Sequence, residues 1–210
     1  VLSNGIPSLL TELTSGIVMF LFNYIILNIA GNIGVAAFSI ITVISLVVIA
    51  IYTGLSQGIQ PLISYNFGVL NKDNLNRILK YSLISEIVIS AIIYLVIYFN
   101  ANTLALIFNS QKIQSLQNYA VSGLKLYFLA CPFIGFNIVI ATFFTATDNS
   151  KPGKLISLFR GFIILIPVVF LLSTHLAMTG VWLSYPLSEL IVTIISFIFY
   201  IKLRKTIYSL

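Results

Sequence analysis

Charge is scarce in this chain of 210 residues: 11 are basic, 5 are acidic and one is histidine. With 8% charged and 59% hydrophobic residues and a mean hydropathy of +1.07, it cannot clothe a soluble surface, where about a quarter of residues carry charge. The same figures exclude disorder, collagen and coiled coil. A single cysteine, Cys131, excludes an intramolecular disulfide and any paired-cysteine metal spacing. The lone His175 falls in an expected external turn, and no HExxH, GxSxG or GxxxxGK[ST] pattern occurs. Enzyme chemistry therefore has nothing to work with, and no cofactor is implied.

What the sequence has instead is long uncharged runs. No charged residue lies between Glu12 and Lys72, which is too long for one membrane crossing and right for two with a turn at Gly31-Asn32-Ile33-Gly34. Reading on in this way predicts an all-α integral membrane protein with six spans, at 7–30, 35–67, 78–99, 121–147, 156–174 and 181–201, in a single unit over 1–210. Gly68 and Asn71 end the second span, Asn100-Ala101-Asn102 is expected to break the third, and the mixed stretch 100–117 reads as interfacial. Pro132 is expected to kink the fourth. Residue 1 is Val and no basic segment precedes the first apolar stretch, so the chain is expected to be a piece of a longer protein.

The basic residues sit beside these runs. Lys72, Arg77 and Lys80 form one cluster, Lys151, Lys154 and Arg160 a second, and Lys202, Arg204 and Lys205 a third. That arrangement marks helix ends and excludes a nucleic-acid stripe. Six spans bring all three clusters to the side of the termini, leaving Lys112 and Lys125 on the other: nine against two. Both termini are thus expected in the cytoplasm, with the lipid bilayer as the surrounding partner.

Three carboxylates, Glu12, Glu86 and Glu189, fall inside expected spans, where an ionised side chain costs about 2.5–3.5 kcal/mol. Glu12 shares a helical face with Gly16, Met19 and Asn23, which suits a cation or proton site on a cavity, or a carboxylate near the helix end that reaches water. Glu86 lies in a stripe with Ser82 and Ser90, and Glu189 in one with Tyr185, Thr193 and Ser196. For both, interhelical hydrogen bonding that holds the bundle together is the favoured reading. Gln57 and Asn137 join Asn23, Glu86 and Glu189 as polar candidates for a cavity wall.

The stretch Gly54-Leu55-Ser56-Gln57-Gly58-Ile59-Gln60-Pro61-Leu62-Ile63-Ser64-Tyr65-Asn66-Phe67-Gly68, with Asn71 and Arg77 after it, resembles the signature of multidrug and toxic compound extrusion (MATE) transporters. Gly5-Ile6-Pro7-Ser8 with Glu12, then Gly34-Val35-Ala36-Ala37, resemble the opening of that family's carboxy-terminal lobe. Pro132-Phe133-Ile134-Gly135-Phe136-Asn137 resembles its tenth helix, and Gly180-Val181-Trp182 with Pro186 and Glu189 its last. The likeness spans almost the whole chain and implies helices seven to twelve of a twelve-helix protein.

That resemblance implies part of a bacterial inner-membrane antiporter that exports small cationic, amphipathic compounds while H+ or Na+ enters, by alternating access between this lobe and a missing amino-terminal lobe. Glu12 resembles the acidic residue that the family uses for cation coupling. Where some members add an aspartate in the tenth helix, this chain offers Gly135 and Asn137. Apolar and aromatic walls with few carboxylates suit a lipophilic cation, and the chain has 16 Phe and 11 Tyr. A lipid-linked saccharide flippase of the same superfamily is the alternative, but its cavity would carry several Arg or Lys, and none is expected deep in a span. A further alternative is a non-transporting membrane subunit whose carboxylates only fix packing.

Overall fold

The uncharged run after Glu12 folds as helix through Gly68, with one break. In the computed structural model, which describes residues 2–208 and their side chains over 16–202, α1 spans Leu2–Gly68. A straight helix of that length would extend about 100 Å, some three times the hydrocarbon thickness of a bilayer. It does not run straight. Gly31 leaves the helical region, with φ 63° and ψ −159°, a conformation that the missing Cβ makes accessible. Gly34 then lies so close to the first arm that a Cβ there would meet Ala30 Cβ at 2.6 Å and Ile26 Cγ2 at 2.8 Å. The two arms of α1 are tied by Phe22 stacked on Phe38, with ring centroids 5.3 Å apart, and Phe38 in turn faces Trp182.

Helix α2 spans Lys72–Phe108. Its start is fixed by Asn71, whose side chain accepts a hydrogen bond from the Asn74 amide at 3.1 Å, and by Asp73 in the first turn. The break expected at Asn100 does not occur. Asn100 donates its amide to the Val96 carbonyl of its own helix at 2.8 Å, which satisfies the polar group without interrupting the backbone. The stretch read as interfacial is instead the last two turns of α2, a short loop and the start of α3, Gln114–Tyr127. Gln117 closes that corner by donating to the Asn102 carbonyl and side chain at 2.9 and 2.8 Å, while Asn109 donates to Gln117 at 3.2 Å.

A tight 3-10 turn at Phe128–Ala130 joins α3 to α4, Cys131–Ala146, with Pro132 in the first turn of the new helix. The 3-10 turn falls just ahead of Pro132, and proline sits where its lost N–H matters least. Helix α5, Ser150–Leu158, passes through a wide π turn, Phe159–Ile163, into α6, Leu165–Tyr208. That turn, closed by Ile164 N–H donating to the Phe159 carbonyl at 3.1 Å, lies just before Pro167, which cannot donate to Ile163. Inside α6 the chain leaves helical geometry at Ala177, φ 49° and ψ −131°. Gly180 follows so near the Leu172 carbonyl that any Cβ there would overlap it.

Among the described residues, four helical stretches are long and apolar enough to cross a membrane: Gly16–Gly68, Lys72–Phe108, Gln114–Ala146 and Ser150–Lys202. Six separate helices were expected; the first and last of these four stretches contain the breaks at Gly31 and Ala177. The buried apolar side chains form two clusters. One gathers Phe22, Phe38, Ile41, Tyr52, Phe128, Ile134, Tyr185 and Trp182, among others; the second gathers Ile63, Leu75, Leu79, Val139, Phe143, Phe144, Ile156 and Val192.

Candidate functional site

Between the two apolar clusters each helix places polar groups. On α1, Ser56 lies between Tyr52 and Ile63; on α2, Glu86 and Ser90 lie between Leu79 and Ile97; on α4, Asn137 lies between Ile134 and Val139. Arg160 lies between Ile156 and Leu165, and Glu189 between Tyr185 and Val192. Hydrophobic burial cannot stabilise this layer, so its hydrogen bonds must, and a buried polar atom without a partner is costly.

The layer has two parts, on either side of α4. In the first, Glu86 is 1% exposed and its Oε1 lies 3.0 Å from Ser90 Oγ. Ser90 Oγ is also 3.1 Å from the Tyr52 hydroxyl and 3.2 Å from the Cys131 carbonyl, so α1, α2 and α4 meet at one serine. Gly135 faces the carboxylate directly, and a Cβ at that position would overlap it. Glu86 Oε2 has no hydrogen-bond partner.

In the second part, Glu189, also 1% exposed, accepts from Arg160 Nε at 2.6 Å through Oε1 and from Asn137 Nδ2 at 2.8 Å through Oε2. Asn137 Nδ2 additionally reaches the Glu189 carbonyl at 3.1 Å. Tyr185 lies beside Arg160, and its ring stacks on Tyr127 with centroids 4.4 Å apart and planes 5° from parallel; Tyr127 lies near Ser45. One chain of contacts thus links α4, the π turn, α6, α3 and α1.

Of the residues picked out in the sequence, the structure joins Asn137 with Glu189 and sets Glu86 in its own nest. Asn23 is half-buried on the first arm of α1, and Gln57 is exposed beside buried Ser56. Glu12 lies outside the residues whose side chains are described. The position of Arg160 is a correction: it was counted with the loop lysines, but it is buried to four-fifths and neutralises Glu189. Glu189 is thus held by an ion pair in addition to the expected interhelical hydrogen bond. The usable signal was local: Arg160 stands between Phe159 and the apolar run 161–172, unlike Lys151 and Lys154 in their polar surroundings.

Comparisons with known proteins converge. The MatE family model matches residues 7–171. The multidrug export protein MepA of Staphylococcus haemolyticus is 26% identical over 201 residues, which are 96% of this chain and 43% of that protein. MepA of Staphylococcus saprophyticus is 23% identical over 95% of this chain and, again, 43% of its own length. The chain therefore spans less than half the length of these relatives. Among solved structures, an inward-facing multidrug resistance MATE transporter superposes with a TM-score of 0.91 at 19% identity, covering 98% of this chain and 47% of that one. An outward-facing one gives 0.89 at 18% identity, over 98% and 46%. A transporter from Pyrococcus furiosus, described as having a binding pocket of reversed polarity that suggests a different function, gives 0.86 at 20% identity, over 98% and 45%. These likenesses share the fold.

Proposed function

We propose, from the premise that this chain belongs to the MatE family of transporters, that it forms the carboxy-terminal lobe of a bacterial multidrug efflux antiporter. It has six spans in this reading, supported by the two breaks: the arms of α1 on either side of Gly31, α2, α3 with α4, α5 with the first arm of α6, and the second arm of α6 beyond Ala177. In this reading both termini of the segment are cytoplasmic and the exported compounds are small organic cations.

The observation that carries the reading is a layer of charged and hydrogen-bonding groups held between two apolar clusters within a lobe of this fold. Soluble helical bundles rarely bury carboxylates in this way; transporters place them where ions and substrates pass. Glu12 is the coupling residue, exchanging H+ or Na+ against substrate in a cavity shared with the amino-terminal lobe. Asn23 and Gln57, both with exposed surface on α1, face that cavity, whereas Asn137, Glu86 and Glu189 hold the lobe behind it. Arg160 does not favour the flippase alternative, because Glu189 already neutralises it.

The test uses the full-length transporter in proteoliposomes with an imposed proton or sodium gradient and a fluorescent cationic dye. Glu12→Gln keeps size and hydrogen bonding but removes the charge change. It should abolish gradient-driven efflux while leaving expression and dye binding intact. Efflux by Glu12→Gln equal to wild type, with equal pH dependence, would return Glu12 to a packing role.

A further inference from the structure

Among the described residues, the nest around Glu86 holds one carboxyl and no ion-pair partner for it. The groups gathered around it are Ser90 from its own helix, Tyr52 from α1 through Ser90, and Cys131 and Gly135 from α4. Tyr52 also meets the Cys131 thiol. Two basic side chains of the neighbouring elements are occupied elsewhere. Arg160 is paired with Glu189, and Lys125 of α3 sits 4.8 Å over the Tyr98 ring, twelve residues further along α2.

The hydrogen bonds open to the carboxyl differ between its two states. Ser90 Oγ has one hydrogen and two lone pairs, and it lies within bonding distance of three oxygens. Its one hydrogen is within reach of Glu86 Oε1 at 3.0 Å and of the Cys131 carbonyl at 3.2 Å, and both of these accept when the carboxyl is ionised. A protonated Glu86 donates to Ser90 Oγ itself and frees the Ser90 hydrogen for the Cys131 carbonyl. An ionised Glu86 would instead take the Ser90 hydrogen, strip the Cys131 carbonyl of its bond to α2, and leave half a charge on Oε2, which has no donor.

We propose that Glu86 is a proton-binding site of this lobe, separate from Glu12: the carboxyl holds a proton on Oε1 and passes it to Ser90 Oγ as a hydrogen bond, while Ser90 bonds the Cys131 carbonyl. Loss of the proton places a charge against Gly135 and breaks the link from α2 to α4, so occupancy of the site controls how those two helices pack. The inference does not depend on which compound is exported or which ion drives export.

The experiment is infrared difference spectroscopy of the full-length transporter in lipid nanodiscs, titrated from about pH 6 to about pH 9, in H2O and D2O. Wild type should show the carbonyl band of a protonated carboxyl at neutral pH, shifted down in D2O and absent from Glu86→Gln. Gln can donate its amide to Ser90 as the acid does, so the variant should keep its fold and its melting temperature should not fall as pH rises, whereas that of wild type should. Ser90→Ala leaves the carboxyl in place and removes its acceptor; the band should persist and move to higher frequency. A wild-type minus Glu86→Gln spectrum that is blank across the titration would overturn the proposal. So would stabilisation of wild type, but not of Glu86→Gln, by sodium at fixed pH, which would make the nest a metal-cation site.

Discussion

Two glutamates approach α4 at positions two residues apart, one against Gly135 and the other against Asn137, and each is 1% exposed. Around Glu189 the protein supplies a guanidinium at 2.6 Å and a carboxamide at 2.8 Å, so both carboxylate oxygens have donors. Around Glu86 it supplies one serine and leaves Oε2 alone. The difference comes from α4 itself. Asn137 brings a donor to its glutamate, whereas Gly135 brings nothing but room. Burial of a carboxyl thus has two solutions in one bundle: neutralisation by a partner, or a site shaped for a group that carries its own hydrogen.

The largest effect expected from breaking this comparison is at the ion pair. Arg160→Met leaves Glu189 buried without its cation and should cost about 3–5 kcal/mol, read as loss of monodisperse protein in detergent. Arg160→Met combined with Glu189→Met should recover most of that yield. If the double variant is as poor as the single, the pair is not what holds the π turn to α6. An intermediate effect is expected on the other side of α4. Gly135→Ala drives a methyl group into the Glu86 carboxyl and should cost about 1–3 kcal/mol, measured as a lower melting temperature. Shortening the neighbour with Glu86→Ala should make the same Gly135→Ala change nearly neutral, and additive losses would show that the glycine is needed for some other contact. The smallest effect is expected at Asn137. Asn137→Leu removes one donor from Glu189 but spares the arginine, and interhelical hydrogen bonds of this kind contribute about 0.6–2 kcal/mol. A loss as large as that of Arg160→Met would reverse the ranking of the two donors.

Much of the architecture was legible because lipid imposes it. Runs without charge, the turn at Gly31 and a change of helix geometry next to Pro132 follow from composition and from the limits of single residues. The continuation of α2 through Asn100 was not legible, because an asparagine can either end a helix or fold its amide back onto the preceding turn, and the sequence does not distinguish the two. The candidate site was half visible. Glu86 with Ser90 is a local pair, four residues apart on one helix, and could be read from spacing. Glu189 with Arg160 is a pairing of residues 29 apart in sequence across a wide turn and a break at Ala177, and no periodicity links them. Charge counting grouped Arg160 with the lysines at a helix end and so gave no hint of a partner.

The wide turn at Phe159–Ile163 also settles a matter of phase. Buried Ile156 precedes it and buried Leu165 follows, nine residues on. At about 100° per residue, an unbroken α-helix would point these two side chains in opposite directions. The i to i+5 hydrogen bond takes up one extra residue, turning everything downstream back by about 100° and swinging the inward stripe of α6 toward that of α5. Deleting one residue within 159–163 would therefore not merely shorten the chain. It would regularise the helix while keeping the two halves of one stripe in step, because one residue fewer at about 100° equals the turn-back that the wide turn supplies, and only the side chains inside the turn, Arg160 among them, would be re-aimed.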